Sequence, residues 1–284
     1  MRAKMTFSAV LAGTLLALAV GLTVACDFMG DDGGFGGFFE GEKFTEPFSK
    51  TLPLKAGDRF SLRNTNGFIR VTTWDRNEVE ISALKTAYRH KENLDRVKIE
   101  IETPGSDVQV DTIYEKFHNL NVKVDYEVKV PEGVILEAVR STNGDVELNG
   151  RFSDVKAGTT NGDILVDGAE GRIDMGTTNG GVRGRNLKGS VTADTTNGSI
   201  HLDLDDIKGD VRAETTNGSI EMRLSGSINA EFSARSTNGS ITVDFPVTVQ
   251  GSLSSRHRIQ GRIGSGGPAI EVETTNGSIR ILKK

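Results

Sequence analysis

Two short alternating runs recur along most of this chain, one on each side of a Thr-Asn-Gly tripeptide. Six, four and two residues before the Asn stand Val155, Ala157, Thr159; Ile173, Met175, Thr177; Val191, Ala193, Thr195; and Val211, Ala213, Thr215. Three and five residues after it stand Ile164 and Val166, Ile200 and Leu202, Ile220 and Met222, Ile279 and Ile281. A period of two on both sides predicts strands with one face buried. The two runs are out of phase by one residue, so the chain is expected to bend at Asn-Gly, where Gly reaches positive φ at little cost. Counting in twos from the leading run puts the Asn on the inward side and the Thr just before it on the outward side.

The Asn residues of the repeat are Asn66, Asn143, Asn161, Asn179, Asn197, Asn217, Asn238 and Asn276, and subtraction gives spacings of 77, 18, 18, 18, 20, 21 and 38. Two all-β architectures fit. In a hairpin meander Asn-Gly would be a type I′ turn; in a single-chain β-solenoid it would be a corner of each coil. The solenoid is preferred because it explains why one residue type returns at one phase. Each Asn would stack on the Asn of the next coil, as amides do in cross-β ladders, and the period suits a small coil. Gly171, Gly189, Gly209 and Gly226 mark a second bend. The gap of 38 predicts a degenerate coil between Asn238 and Asn276. The gap of 77 holds residues 79–130, whose alternating runs predict an antiparallel insertion capping the N-terminal end; "HKENLDR" within it reads as a short helix or turn. Lys283 and Lys284 are expected to charge the last strand and protect the other end.

Composition supports a thin all-β core: 36% apolar and 6% aromatic residues with 34 Gly and 6 Pro. A formal net charge of -5 argues against a nucleic-acid partner. The N-terminus adds a location. Arg2 and Lys4 precede a short apolar run from Phe7 to Leu22, too short to span a bilayer comfortably, so residues 1–25 read as an export signal peptide. Cys26, the sole cysteine, follows "LTVA" in an arrangement that resembles the bacterial lipoprotein processing site, although Thr23 stands where that site usually has Leu. The resemblance implies that Cys26 becomes the lipid-bearing first residue, anchoring the chain to an inner or outer membrane of the cell envelope without spanning it. Loss of Arg2 and Lys4 leaves 34 − 2 = 32 bases against 39 acids, a net charge of -7. Residues 26–43, rich in Gly and acids, read as an extended tether, and 44–284 as the folded domain.

"FSLRNTNGFIRVTTWDRNEVEISALKTA", the units "STNGDVELNG" and "TTNGDILVDG", and the closing "IGSGGPAIEVETTNGSIRIL" resemble a large bacterial family of candidate adhesins, a domain of unknown function built on β-strand repeats. The resemblance covers about residues 44–284. It implies an elongated β-solenoid, often behind a signal peptide or lipoprotein site, and no catalytic residues or cofactor.

Candidate sites follow from the two phases. The Asn row reads as a structural ladder. The outward row of Thr142, Thr160, Thr178, Thr196, Thr216 and Thr237 could meet a periodic partner such as a glycan or another surface ligand, although β-branched Thr also simply suits strands. The next outward column after the bend mixes charges (Glu147, Arg183, His201, Glu221, Arg280), which argues for register rather than an electrostatic groove. Asp145 and Asp163 on adjacent coils could hold at most a weak cation. His90, His118, His201 and His257 lack metal-ligand spacing, and no nucleophile elbow or phosphate loop is present. Asp203, Asp205, Asp206 and Asp210 are the nearest approach to the carboxylate cluster of a polysaccharide-acting β-helix enzyme. The leading expectation is a lipid-anchored surface-binding module without catalysis; a tethered periplasmic scaffold and, remotely, that enzyme are the alternatives.

Overall fold

The computed structural model describes residues 42–115, 120–249 and 257–284. The expected signal peptide, Cys26 and nearly all of the tether lie outside these residues, as does His118. In chain order the strands are β1 (Lys43–Pro53), β2 (Arg59–Arg63), β3 (Ile69–Trp74), β4 (Glu78–Tyr88), β5 (Val97–Glu102), β6 (Val108–Tyr114), β7 (Val122–Pro131), β8 (Ile135–Arg140), β9 (Val146–Phe152), β10 (Val155–Gly158), β11 (Ile164–Asn179), β12 (Val182–Asn197), β13 (Ile200–Asn217), β14 (Ile220–Leu224), β15 (Ala230–Asn238), β16 (Ile241–Val243), β17 (Val247–Thr248), β18 (Arg258–Ile263), β19 (Ala269–Asn276) and β20 (Ile279–Lys283). A 3-10 helix, Lys91–Arg96, occupies the "HKENLDR" segment.

The chain is a β-solenoid. Strands before each Asn-Gly pair in parallel with their equivalents one coil on, and so do the strands after it. Val155 pairs Ile173, Ile173 pairs Val191 and Val191 pairs Val211 in one row; Ile164 pairs Val182, Val182 pairs Ile200 and Ile200 pairs Ile220 in the other. Keeping each residue type over its equivalent stacks like on like. Inward side chains of both rows form one apolar core, with Ile173, Ile200, Ile220 and Ile279 fully buried. Each such side chain contributes roughly 1.5–3 kcal/mol by leaving water. Ala157, Ala193, Ala213 and Ala234 are buried at the middle inward position of the leading row, a small side chain beside the larger Val or Phe two residues earlier in each strand.

The N-terminal insertion is antiparallel only in part. β4 runs antiparallel to β1 and β7, and β5 antiparallel to β6. However, β6 joins β2 and β7 joins β3 in parallel. β6 and β7 are thus one more coil, lacking Asn-Gly, and only β1, β4 and β5 act as an added cap. The buried hydroxyls of Thr112 on β6 and Tyr126 on β7 meet at 2.7 Å and tie that coil together. At the outer strand β1, Pro47 offers no N–H, and inward-pointing Glu46 holds buried Lys85 at 2.7 Å. Both are devices that discourage a further strand from adding to an edge.

The C-terminal end corrects two expectations. Among the described residues between Asn238 and Asn276 no degenerate coil is found; β17 and β18 form a return, with β18 antiparallel to β15. The last unit then enters between earlier ones: β19 pairs with β13 on one side and β15 on the other, and β20 lies between β14 and β16. Lys283 and Lys284 therefore do not guard an end. Lys284 instead reaches Asp205 at 2.6 Å. The physical reason is fit. β19–β20 carries the complete inward pattern, with Ile270, Val272, Ile279 and Ile281 buried, whereas β16 has three residues and only half-buried Ile241 and Val243. The complete unit takes the slot covered on both sides, and the short strand takes the edge. Gly264 and Gly266, at φ 62° and 81°, provide the tight return that allows it.

Candidate functional site

Every repeat turns the same corner, and the corner's chemistry explains the motif. The sheet ladder cannot continue unbroken through a bend, so backbone groups there need other partners. Two residues before seven of the eight Asn, the inward hydroxyl of Ser141, Thr159, Thr177, Thr195, Thr215, Thr274 or Ser236 donates to a Gly carbonyl of the neighbouring coil, at 2.8–3.0 Å, and before Asn66 the Asn64 amide donates to the Val124 carbonyl instead, at 2.8 Å. Two residues after the Asn, a side-chain oxygen accepts the equivalent amide of the next coil. Asp145 accepts from Asp163 at 2.8 Å, Asp163 from Gly181 at 2.7 Å, Ser199 from Ser219 at 3.3 Å and Ser219 from Ser278 at 3.2 Å. The Gly following Asn is required by close approach: a Cβ at Gly162, Gly180, Gly198, Gly218 or Gly277 would overlap the carbonyl of the Gly beneath it.

The Asn side chains form a continuous chain of amides. In the order Asn66, Asn143, Asn161, Asn179, Asn197, Asn217, Asn276, Asn238, each later Nδ2 donates to the preceding Oδ1 at 2.8–2.9 Å. All the donors point one way, an arrangement in which amides polarise one another. The inward placement expected from the sequence is wrong: Asn143 to Asn276 are exposed and Asn66 is half-buried. The alternation stops at the buried Thr or Ser two positions earlier: the Thr and Asn that follow are both turned outward, although Asn179, Asn197 and Asn217 still pair with the Asn of the next coil. Thr142, Thr160, Thr178, Thr196, Thr216 and Thr237 are exposed beside the Asn row. Together they form a two-rank polar corner, one Thr and one Asn per coil, at the spacing between neighbouring strands, about 4.8 Å.

The acidic candidates do not converge. Asp205 is held by Lys284, Asp206 lies 3.9 Å from Lys208, and Asp210 accepts the amide of Ala269 at 2.9 Å. Among the described residues no group of three or more His, Cys, Asp or Glu is placed to hold a metal ion. An oxygen of Asp145 and one of Asp163 are already engaged by backbone amides. No helix among the described residues is long and apolar enough to cross a membrane.

Charge differs between the rows. Facing outward on β13, β12 and β11 of the leading row, Glu214, Asp194 and Asp174 crowd together. Partial burial, and then the Glu214 carboxylate, push the Asp194 pKa up against the opposing pull of Arg212. On the trailing row, Glu147 is held below the usual carboxylate range by the Asn149 amide and by Arg70, which lies 3.0 Å away. Sequence reasoning noted the inward Thr and Ser only as strand residues. The signal for their role was a hydroxyl recurring at a position otherwise reserved for apolar side chains.

The family sequence pattern described as Toastrack DUF4097 matches residues 45–282. Among curated proteins none matches this sequence. Similar solved structures include a candidate cell adhesion protein from Clostridium sporogenes, at 16% identity over 84% of this chain and 100% of that one, with a TM-score of 0.38. A candidate adhesin from Bacteroides fragilis shows 12% identity over 84% and 97% of the two chains, with a TM-score of 0.28. One from Parabacteroides distasonis shows 10% identity over 84% and 97%, with a TM-score of 0.40. With a sequence match that runs from the first strand to the last and a corner motif that accounts for the repeat, the chain belongs to the Toastrack DUF4097 family.

Proposed function

We propose that this protein is an exported, lipid-anchored and non-catalytic module of the bacterial cell envelope, which binds an extended partner along its outward rows. The observation that carries the reading is the two-rank Thr and Asn corner, exposed on successive coils at constant spacing. Such a surface offers hydroxyls and amides to a polymer that repeats, such as a glycan. The dispersal of Asp203, Asp205, Asp206 and Asp210 favours binding over hydrolysis, since general acid–base chemistry needs two groups converging on one bond. The lipoprotein-like start at Cys26 supports anchorage, and candidate adhesins among the similar structures support a surface role at the level of family resemblance.

Protease shaving of intact and permeabilised cells carrying a C-terminal epitope tag tests the location. Loss of the tag from intact cells fits a surface binder. Protection until permeabilisation rejects adhesion and leaves a tethered periplasmic scaffold. Cys26→Ser should move the protein from the membrane fraction to the soluble fraction; retention of that variant in the membrane would reject lipid anchorage.

A further inference from the structure

The sequence suggested no electrostatic groove after the Asn-Gly bend, because one column of outward residues alternates in sign. The structure changes that picture twice. It sets a second column, two residues further on, beside the first, and it inserts the coil of Asn276 next to that of Asn217. Over the four coils of Asn179, Asn197, Asn217 and Asn276, the two columns hold Arg183, Arg185, Arg223 and Arg280 against Asp203 and Glu221, or 4 − 2 = +2. The corresponding two columns of the leading row hold Asp174, Asp194, Glu214, Glu271 and Glu273 against Arg212, or 1 − 5 = -4. A chain of net charge -5 therefore carries a local positive patch on these four coils of one row.

Within that patch the cations are not equivalent. Arg223 and Arg280 share Glu221, at 2.9 and 4.0 Å. Arg183 and Arg185 have no ion-pair partner among the described residues, and both are exposed. With His201, Asp203, Glu221 and Arg223 of the following coils they border a shallow depression of about 130 Å³, in which Arg223 offsets Glu221 at 2.9 Å. The depression has room for one small substituent, so its ligand must lie across the face. Half-buried Leu165, paired with Arg183 on the preceding coil, supplies an apolar flank.

We propose that this face is a subsite for the acidic groups of a polysaccharide, with Arg183 and Arg185 binding a carboxylate or sulfate substituent while the sugar backbone runs across the coils. This rests on the reading of the protein as a polymer-binding module and specifies the polymer's charge. Guanidinium groups suit planar, paired recognition of such oxyanions. A lipid surface fits less well. Membrane docking asks for four or more clustered cations or an apolar face; of the four Arg here two are tied to Glu221, leaving Arg183 and Arg185, and the exposed large apolar side chains among the described residues, Leu84, Tyr88 and Ile113, lie elsewhere.

The test uses the full lipidated chain in neutral detergent, with polygalacturonate, neutral dextran and phosphatidylglycerol vesicles as probes. Polygalacturonate should bind, weaken at high salt, and bind about tenfold more weakly to R183Q/R185Q, as expected for the loss of two exposed ionic contacts. R172A, an exposed Arg of the other row, should leave binding unchanged. Melting temperatures check that each variant is folded, and R183A/R185A serves if the Gln pair is not. Equal binding of dextran and polygalacturonate, or binding indifferent to R183Q/R185Q, overturns the subsite and leaves polymer binding standing. Capture of vesicles alone overturns it in favour of lipid. Failure to bind any probe also overturns it, while surface exposure is judged separately by protease shaving.

Discussion

Thr195 and Thr196 are adjacent, chemically identical and separated by the corner, so one substitution made at both tests the corner's logic. Thr195 is 6% exposed and its hydroxyl donates to the Gly180 carbonyl at 2.9 Å. Thr196 is exposed. Valine keeps the shape and strand preference of threonine but cannot donate. At Thr195 the change removes a hydrogen bond worth about 0.5–1.5 kcal/mol net and leaves a carbonyl with a desolvation cost that brings the total to about 1–3 kcal/mol. Gly180 is itself half-buried, so water reaches it in part and about 1–2 kcal/mol is expected. For a domain of this size that corresponds to a fall of roughly 2–8 °C in Tm. Thr196→Val should stay within about 0.5 kcal/mol of the parent, as surface substitutions do. The assay is urea unfolding followed by circular dichroism, with calorimetry for Tm. Equal effects at the two positions would refute the assignment of the inward hydroxyl as the corner's donor, and a larger effect at Thr196 would reverse the two faces.

Three further outcomes follow from the same geometry. Asn197→Ala breaks two exposed amide bonds, to Asn179 and from Asn217, and should cost about 1–2 kcal/mol; a loss above about 4 kcal/mol in urea unfolding would mean that the row is buried after all. Gly181→Ser should raise stability by about 0.5–1.5 kcal/mol, because Gly181 gives the Ser199 amide no side-chain acceptor while a Cβ there meets only ordinary contacts; an unchanged or lower Tm refutes it. Asp194→Asn should raise Tm at neutral pH. The raised pKa makes the ionised Asp194 a destabilising group above its folded pKa, and that cost fades as pH falls through the folded value toward the ordinary one. The advantage of Asn over Asp should therefore shrink in mildly acidic buffer, and an advantage that grows there would contradict the sign.

The sequence by itself determined the strands and their buried faces, because a period of two on each side of a recurring Asn-Gly fixes which side chains turn inward; it preferred the stacking of like on like over a hairpin meander, and the parallel pairing of the coils decided it. Residues such as Ile173, Ile200 and Ile220 could be assigned to the core by counting alone. Three things needed the tertiary structure. Parity could not say where the alternation ends, since at the corner the Thr and the Asn both turn outward while the strand pairing continues, and so the Asn row was placed inside when it lies outside. Chain order could not give spatial order at the C-terminal end, where burial of a complete unit outweighs the sequence adjacency of a short one. Nor could one column of mixed charge reveal Arg183 and Arg185 as cations without an ion-pair partner among the described residues, because ion pairs are made across coils, between residues that only the stacking brings within reach.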